Sequence, residues 1–205
     1  MKAFSKLILV TIATAGFSHA ATTISTKNFT SLSVGIPVIN EAGSGLTAGN
    51  RSWSVGYFPT GFNFATSDAA AIKGAFVIFG ATSTTFAING GFTGSINATL
   101  PANDTTYTGK TIYTLVGNAP TVAGSSLFAI LTANVAFPVV DGAGNGLATA
   151  NTTTAANVVY GKLGPIATQP SGGSFAQGLQ VVSVPEASVT LLGALGAIGL
   201  LRRRR

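Results

Sequence analysis

The sequence predicts a mainly β protein: a single small β-sandwich-like domain with one short helix, flanked by an N-terminal signal-peptide helix and a C-terminal transmembrane helix. Three observations predict it. Short runs of Val, Ile, Phe, Tyr and Thr recur through the middle of the chain and are broken by Gly, Asn and Pro, the pattern of strands joined by turns. One stretch alone, "TSDAAAIKGAFVIFG", carries helical spacing. Both ends pair an apolar run with clustered positive charge. The 205 residues suit one domain with appendages, divided as 1–20, 21–184 and 185–205.

The first element is the N-terminus, "MKAFSKLILVTIATAGFSHAATT". Lys2 and Lys6 form a positive leader, and Leu7 to Phe17 an apolar run of signal-peptide length. Ser18-His19-Ala20 places small residues at the two positions that signal peptidase reads, so cleavage is expected between Ala20 and Ala21. A retained membrane anchor is the competing reading, but the run is short for a span and a cleavage site follows it.

Seven strands are expected in the body: Phe29–Val34, Arg51–Phe58, Thr85–Phe92, Lys110–Gly117, Ser126–Ala133, Asn157–Gly164 and Gly178–Val184. In "RSWSVGYF", Trp53, Val55 and Tyr57 share one face and Ser52, Ser54 and Gly56 the other, which reads as a half-buried strand. The helix is expected over Ala69–Phe79, capped by Asp68 or Ser67, with Ile72, Phe76 and Phe79 on one face and Gly80 as its stop.

The tail opens with Pro185-Glu186 and runs into Val189 to Leu201, an apolar segment without a charge. As a helix this segment spans about 20 Å, and the residues from Val184 onward lengthen it toward a ~30 Å hydrocarbon core. Gly193, Gly196 and Gly199 leave one helix face smooth enough for close packing against a partner helix. Arg202, Arg203, Arg204 and Arg205 follow as a stop that keeps this end in the cytoplasm. The physics gives an exported chain held in the inner membrane by its tail. A plain, uncleaved single-span anchor would carry the same features. A nucleic-acid or lipid patch is the other reading of the arginines, and headgroup contact is part of anchoring in any case.

This order of Pro-Glu, apolar helix and terminal Arg cluster resembles the PEP-CTERM sorting signal of exported bacterial proteins. The family pattern reads Pro-Glu-Pro, and position 187 here is Ala. The resemblance covers about the last 22 residues. It implies a transient anchor recognised by an exosortase, a membrane-embedded cysteine protease that cuts near Pro185 and Glu186. It also implies release to the cell surface or the extracellular polysaccharide layer. The body is loosely similar to small PEP-CTERM proteins of Verrucomicrobia-like bacteria, through Glu41 to Leu46, Gly109 to Tyr113 and Leu179 to Glu186. That likeness implies a β domain and export, and no activity.

The chemistry open to such a body is narrow. Charged residues are 8% of the chain, and the net charge of +6 comes from its ends. Between them Lys27, Arg51, Lys73, Lys110 and Lys162 balance Glu41, Asp68, Asp104, Asp141 and Glu186, so no basic face is offered to nucleic acid. The chain has no Cys, and its one histidine, His19, lies in the expected signal peptide. That removes Ser-His-Asp and Cys nucleophiles and the usual zinc and haem ligands from the body, and no cofactor or enzymatic role is expected.

Two sites are worth naming. "VINEAGSGLTAGN" (Val38–Asn50) echoes "VVDGAGNGLATAN" (Val139–Asn151). The echo reads as two similar turns leading into strands; the competing reading is a calcium loop with Asp141 and Asn145 as ligands, although Ala143 stands where a third oxygen is needed. Carbohydrate binding would use exposed aromatic platforms among Trp53, Tyr57, Tyr107 and Tyr113. Trp53 and Tyr57 are expected in the core, and Tyr107 is the candidate glycan contact. Exopolysaccharide is the partner this reading suggests, beside signal peptidase, exosortase and the inner membrane. Four Asn-x-Thr sequons begin at Asn28, Asn97, Asn103 and Asn151 and arise readily in so Asn- and Thr-rich a chain.

Overall fold

A computed structural model describes residues 19–101, 103–140, 146–170 and 172–183. The sorting tail, the calcium candidates Asp141 and Asn145, and the signal segment up to residue 18 lie outside the described residues. The described body is mainly β, with one α-helix.

The largest sheet is antiparallel throughout. It contains β5 (Ser52–Tyr57), β6 (Val77–Ser83), β8 (Thr111–Gly117), β9 (Leu127–Ala136), β11 (Val158–Tyr160) and β14 (Val182–Ser183). Its order is β11-β9-β8-β5-β6, and β14 pairs with the start of β9 through Val182↔Phe128 and Ser183↔Leu127. A second sheet places β1 (His19–Lys27) between β10 (Gly146–Asn151), to which it is parallel, and β7 (Thr93–Pro101), to which it is antiparallel.

Period-two alternation explains how the two sheets meet. Ile24 of β1, Ile96 and Leu100 of β7 and Ala150 of β10 point inward, against Trp53, Val55, Phe79, Ile112, Val116, Ala129 and Leu131 of the large sheet. A third small sheet, β12 (Lys162–Gly164), β13 (Gly178–Gln180) and β4 (Val38–Ile39), adds Val38 and Leu179 to the same core. The large sheet's other face is covered as well. Leu115, Phe128 and Ile130 pack there with Phe58, Ile72, Phe76 and Val122 in a second cluster.

This second cover corrects the reading of β5. Ser52 and Ser54 are fully buried, so the strand is buried on both faces, not half-buried. Its small side chains make room for the layer above: a Cβ on Gly56 would fall 2.8 Å from Phe76 Cζ. Ser54 Oγ shares a 2.7 Å hydrogen bond with Thr82 Oγ1.

The helix is shorter than expected. α1 spans Ala69–Ala75, with Asp68 as N-cap: its carboxylate accepts from the Ala71 amide at 2.7 Å. Residues 77–79 belong instead to β6. Ile72 and Phe76 do share a face, in the second cluster, whereas Phe79 enters the first. The β-branched Val77 and Ile78 and the pairing available on β5 outweigh helical spacing there. Gly80 is therefore no helix stop; it sits inside β6, where the register slips between Trp53↔Ser83 and Val55↔Phe79.

Other strands also differ. "FTSLSV" is a hairpin, β2 (Phe29–Ser31) and β3 (Val34–Gly35), and "TFAINGGF" is a loop with an isolated Ile88↔Gly91 bridge. The Asn157–Gly164 strand breaks at Gly161 into β11 and β12, and the last expected strand breaks at Val181 into β13 and β14. The echo of Val38–Asn50 in Val139–Asn151 is not a structural repeat. Val38 and Leu46 are buried, whereas their counterparts Val139 and Leu147 are 73% and 68% exposed. Gly146 of the second copy opens β10, whereas its counterpart Gly45 makes only an isolated bridge to Ile39 and the first copy reaches β5 at Ser52.

Candidate functional site

The two poles of the large sheet are defined by the register of β8 and β9. Gly117 pairs with Phe128 at one end and Thr111 with Ala136 at the other. At about 3.3 Å per residue these ends lie about 20 Å apart. β14 joins β9 at the Phe128 end, so the chain leaves the described body toward its tail from that pole.

The opposite pole carries an aromatic groove of about 310 Å³. Two turns build it. The first follows β5 in "FPTGFNF": the Phe62 amide donates to Pro59 O at 3.1 Å, and Gly61 has φ +79°. The second precedes β8: the Lys110 amide donates to Tyr107 O at 2.9 Å, and Gly109 has φ +74°. Each is a four-residue turn with positive φ at its third position, the conformation that glycine adopts without steric cost. Lys110 is held on its other side too, since its carbonyl accepts from the Phe137 amide at 2.8 Å.

Phe58 is the buried hub of the groove. Its ring lies 4.9 Å from Phe62, 4.8 Å from Phe64, 5.0 Å from Phe76 and 5.3 Å from Tyr113, centroid to centroid. Phe62, Phe64 and Tyr113 are half-buried and line the groove with Thr60, Thr111 and Lys110. Among the described residues Lys110 is the one charged residue in that lining. The described residues of the site therefore offer aromatic surface, hydroxyls and an ammonium.

Tyr107 is placed differently from the reading that made it an exposed glycan contact. It is half-buried, its hydroxyl donates to Ile78 O at 2.7 Å, and its ring packs edge-on to Tyr57 and Phe79 and against Phe137. Burial, with the nearby Tyr57 and the Asp104 carboxylate, pushes its phenol above the ordinary tyrosine range. Trp53 lies in the core as expected, stacked on Phe92 at 5.4 Å and donating from Nε1 to Thr85 O at 2.8 Å. Of the four aromatic candidates, Tyr113 alone lines the groove. Phe58, Phe62, Phe64 and Lys110 escaped the sequence reading; three Phe within a Pro- and Gly-bearing heptapeptide were the available signal.

Among the described residues the carboxylates do not converge. Asp104 is buried and accepts from the amides of Thr106, Tyr107 and Thr108 at 3.2, 2.8 and 3.4 Å, a turn role. Asp68 caps α1. Glu41 is exposed on a shallow cleft lined, among the described residues, by no second acid. Among the described residues no three His, Cys, Asp or Glu gather to hold a metal. Of the sequons, Asn28 is fully buried and Asn97, Asn103 and Asn151 are exposed.

Ala20 and Ala21, on either side of the expected cleavage point, lie in β1 opposite Leu100 and Thr99 of β7. Among the described residues no helix is long and apolar enough to cross a membrane; Pro185, Glu186 and Arg202 to Arg205 lie outside them. Comparison with protein-family models, with characterised proteins and with solved structures gives no match.

Proposed function

We propose that this chain is an exported bacterial protein of the cell surface or extracellular matrix, sorted through its C-terminal tail by an exosortase and serving a structural or adhesive role in the exopolysaccharide layer. The observation that carries the reading is the tail itself: Pro185-Glu186, the uncharged run Val189 to Leu201 and Arg202 to Arg205 in that order. The body suits the role. It has a near-neutral charge balance, needs no disulfide, and closes its core by packing and backbone ladders. Signal peptidase, exosortase and, transiently, the inner membrane are its processing partners. Fractionation of producing cells, with and without a working exosortase, tests this. Release that depends on the enzyme supports it; a product permanently in the inner membrane makes the chain a single-span anchored protein instead.

A second reading, a carbohydrate-binding module, is favoured by the groove of Phe62, Phe64, Tyr113 and Lys110. Half-exposed rings beside hydroxyls suit the apolar faces and hydroxyls of sugars. A glycan array probed with the full-length chain tests it: binding to any glycan class supports the module, and no binding removes it.

A further inference from the structure

From the groove we infer a specific ligand class: acidic polysaccharide, with a uronate carboxylate on Lys110 and its sugar ring against Phe62, Phe64 and Tyr113. The inference rests on the carbohydrate-binding reading and adds to it the site and the charge of the ligand.

Three observations combine. Charge is the first. Among the described residues Lys110 is the one charged side chain in the lining, and the Asp104 carboxylate of the adjoining turn is buried and committed to the amides of Thr106, Tyr107 and Thr108. In a body with so few charges, an ammonium on the rim of an aromatic groove favours an anionic ligand. A neutral sugar would leave that ammonium without a counter-charge, whereas a uronate supplies one and forms a charge-assisted hydrogen bond.

Pre-organisation is the second. The rings are fixed by mutual packing, with Phe64 5.0 Å from Phe62 and 5.7 Å from Tyr113, and the backbone of Lys110 is held by hydrogen bonds on both sides. Only the Lys110 side chain is left for a ligand to order, which favours affinity in a small site.

Position is the third. The groove lies at the Thr111 end of the large sheet and the chain departs after Ser183 from the Phe128 end. A tail held in a membrane would thus leave the groove on the far side of the body, about 20 Å outward, where a surface polysaccharide is met.

The test uses the full-length chain in a zwitterionic, sugar-free detergent, with calorimetric titration of oligogalacturonate and of a neutral gluco-oligosaccharide of equal length. Oligogalacturonate is expected to bind with an affinity that falls with added salt. Lys110→Met should weaken it about tenfold or more, Lys110→Arg should stay within about threefold, and Phe64→Ala should weaken both sugars. Trp53 emission reports whether each variant retains its core. Equal binding of both oligosaccharides, with Lys110→Met silent, overturns the acidic ligand and leaves the carbohydrate-binding reading standing. Binding that ignores both Lys110→Met and Phe64→Ala overturns the site. Binding of no glycan in this titration or on the array overturns the whole reading.

Discussion

Gly94 of β7 lies directly against the indole of Trp53 on β5: a Cβ at position 94 would sit 3.1 Å from Trp53 Cζ2. The indole cannot retreat easily, because it is buried, stacked on Phe92 and tied through Nε1 to Thr85 O. This contact sets how closely the two sheets approach. Gly94→Ala is expected to cost about 1 kcal/mol and Gly94→Val about 2–3 kcal/mol through overpacking. Urea unfolding followed by Trp53 fluorescence checks this; an unchanged midpoint for Gly94→Val would show that the sheets have slack.

Tyr107 couples stability to alkaline pH. Its phenol is raised by burial first, then by Tyr57 and Asp104, and that of Tyr160 by burial. A folded-state pKa above the unfolded value of about 10 means the folded chain holds its proton longer. Stability from these groups is therefore complete below pH ~10 and is lost as pH rises through the folded pKa values. Tyr107→Phe should cost about 1 kcal/mol at neutral pH by losing the bond to Ile78 O, and should flatten the alkaline decline. Chemical denaturation between pH 8 and pH 11 reads both effects; an equally steep decline in the variant contradicts the assignment.

Asn28 joins the end of β1 to two neighbouring loops. Its amide donates to Ile36 O and Gly90 O, both at 2.9 Å, and its carbonyl accepts from the Phe92 amide at 2.8 Å. Asn28→Ala strands those buried groups and should cost about 3 kcal/mol. Thermal unfolding by circular dichroism checks this, and a loss under about 1 kcal/mol would mean that water replaces the side chain.

Processing at Ala20–Ala21 is expected to precede folding. Both residues are paired in β1 with Leu100 and Thr99 of β7, and a strand held in a sheet ladder cannot enter a protease cleft. Purified signal peptidase should cut urea-unfolded precursor diluted into the assay and spare refolded precursor. Equal cutting of both contradicts this order of events, and cutting of neither contradicts the cleavage site.

The strands legible in the sequence are those with apolar side chains on alternate positions and some bulk: β5, β8 and β9, carried by Trp53, Val55, Ile112, Val116, Ala129 and Leu131. The second sheet was not legible. Its outer positions are Thr23, Ser25, Ser95, Asn97 and Thr149, and inward places go to small residues such as Gly94 because Trp53 fills the space from across the core. Small polar alternation looks like a loop when read alone. The end of α1 was misjudged for a related reason. Periodicity placed Phe79 with Ile72 and Phe76, but a sheet edge on β5 recruits Val77 to Ser83. The groove was half legible. Tyr113 stood out as an aromatic candidate, whereas Phe58, Phe62 and Phe64 converge with Lys110 only once two glycine turns bring distant segments to one pole.

The intact mass of the protein released by exosortase-competent cells tests the central claim most directly. The released chain is expected to begin at Ala21 and end near Pro185-Glu186, without Arg202 to Arg205. A mass that retains the four arginines, or the segment before Ala21, would contradict it.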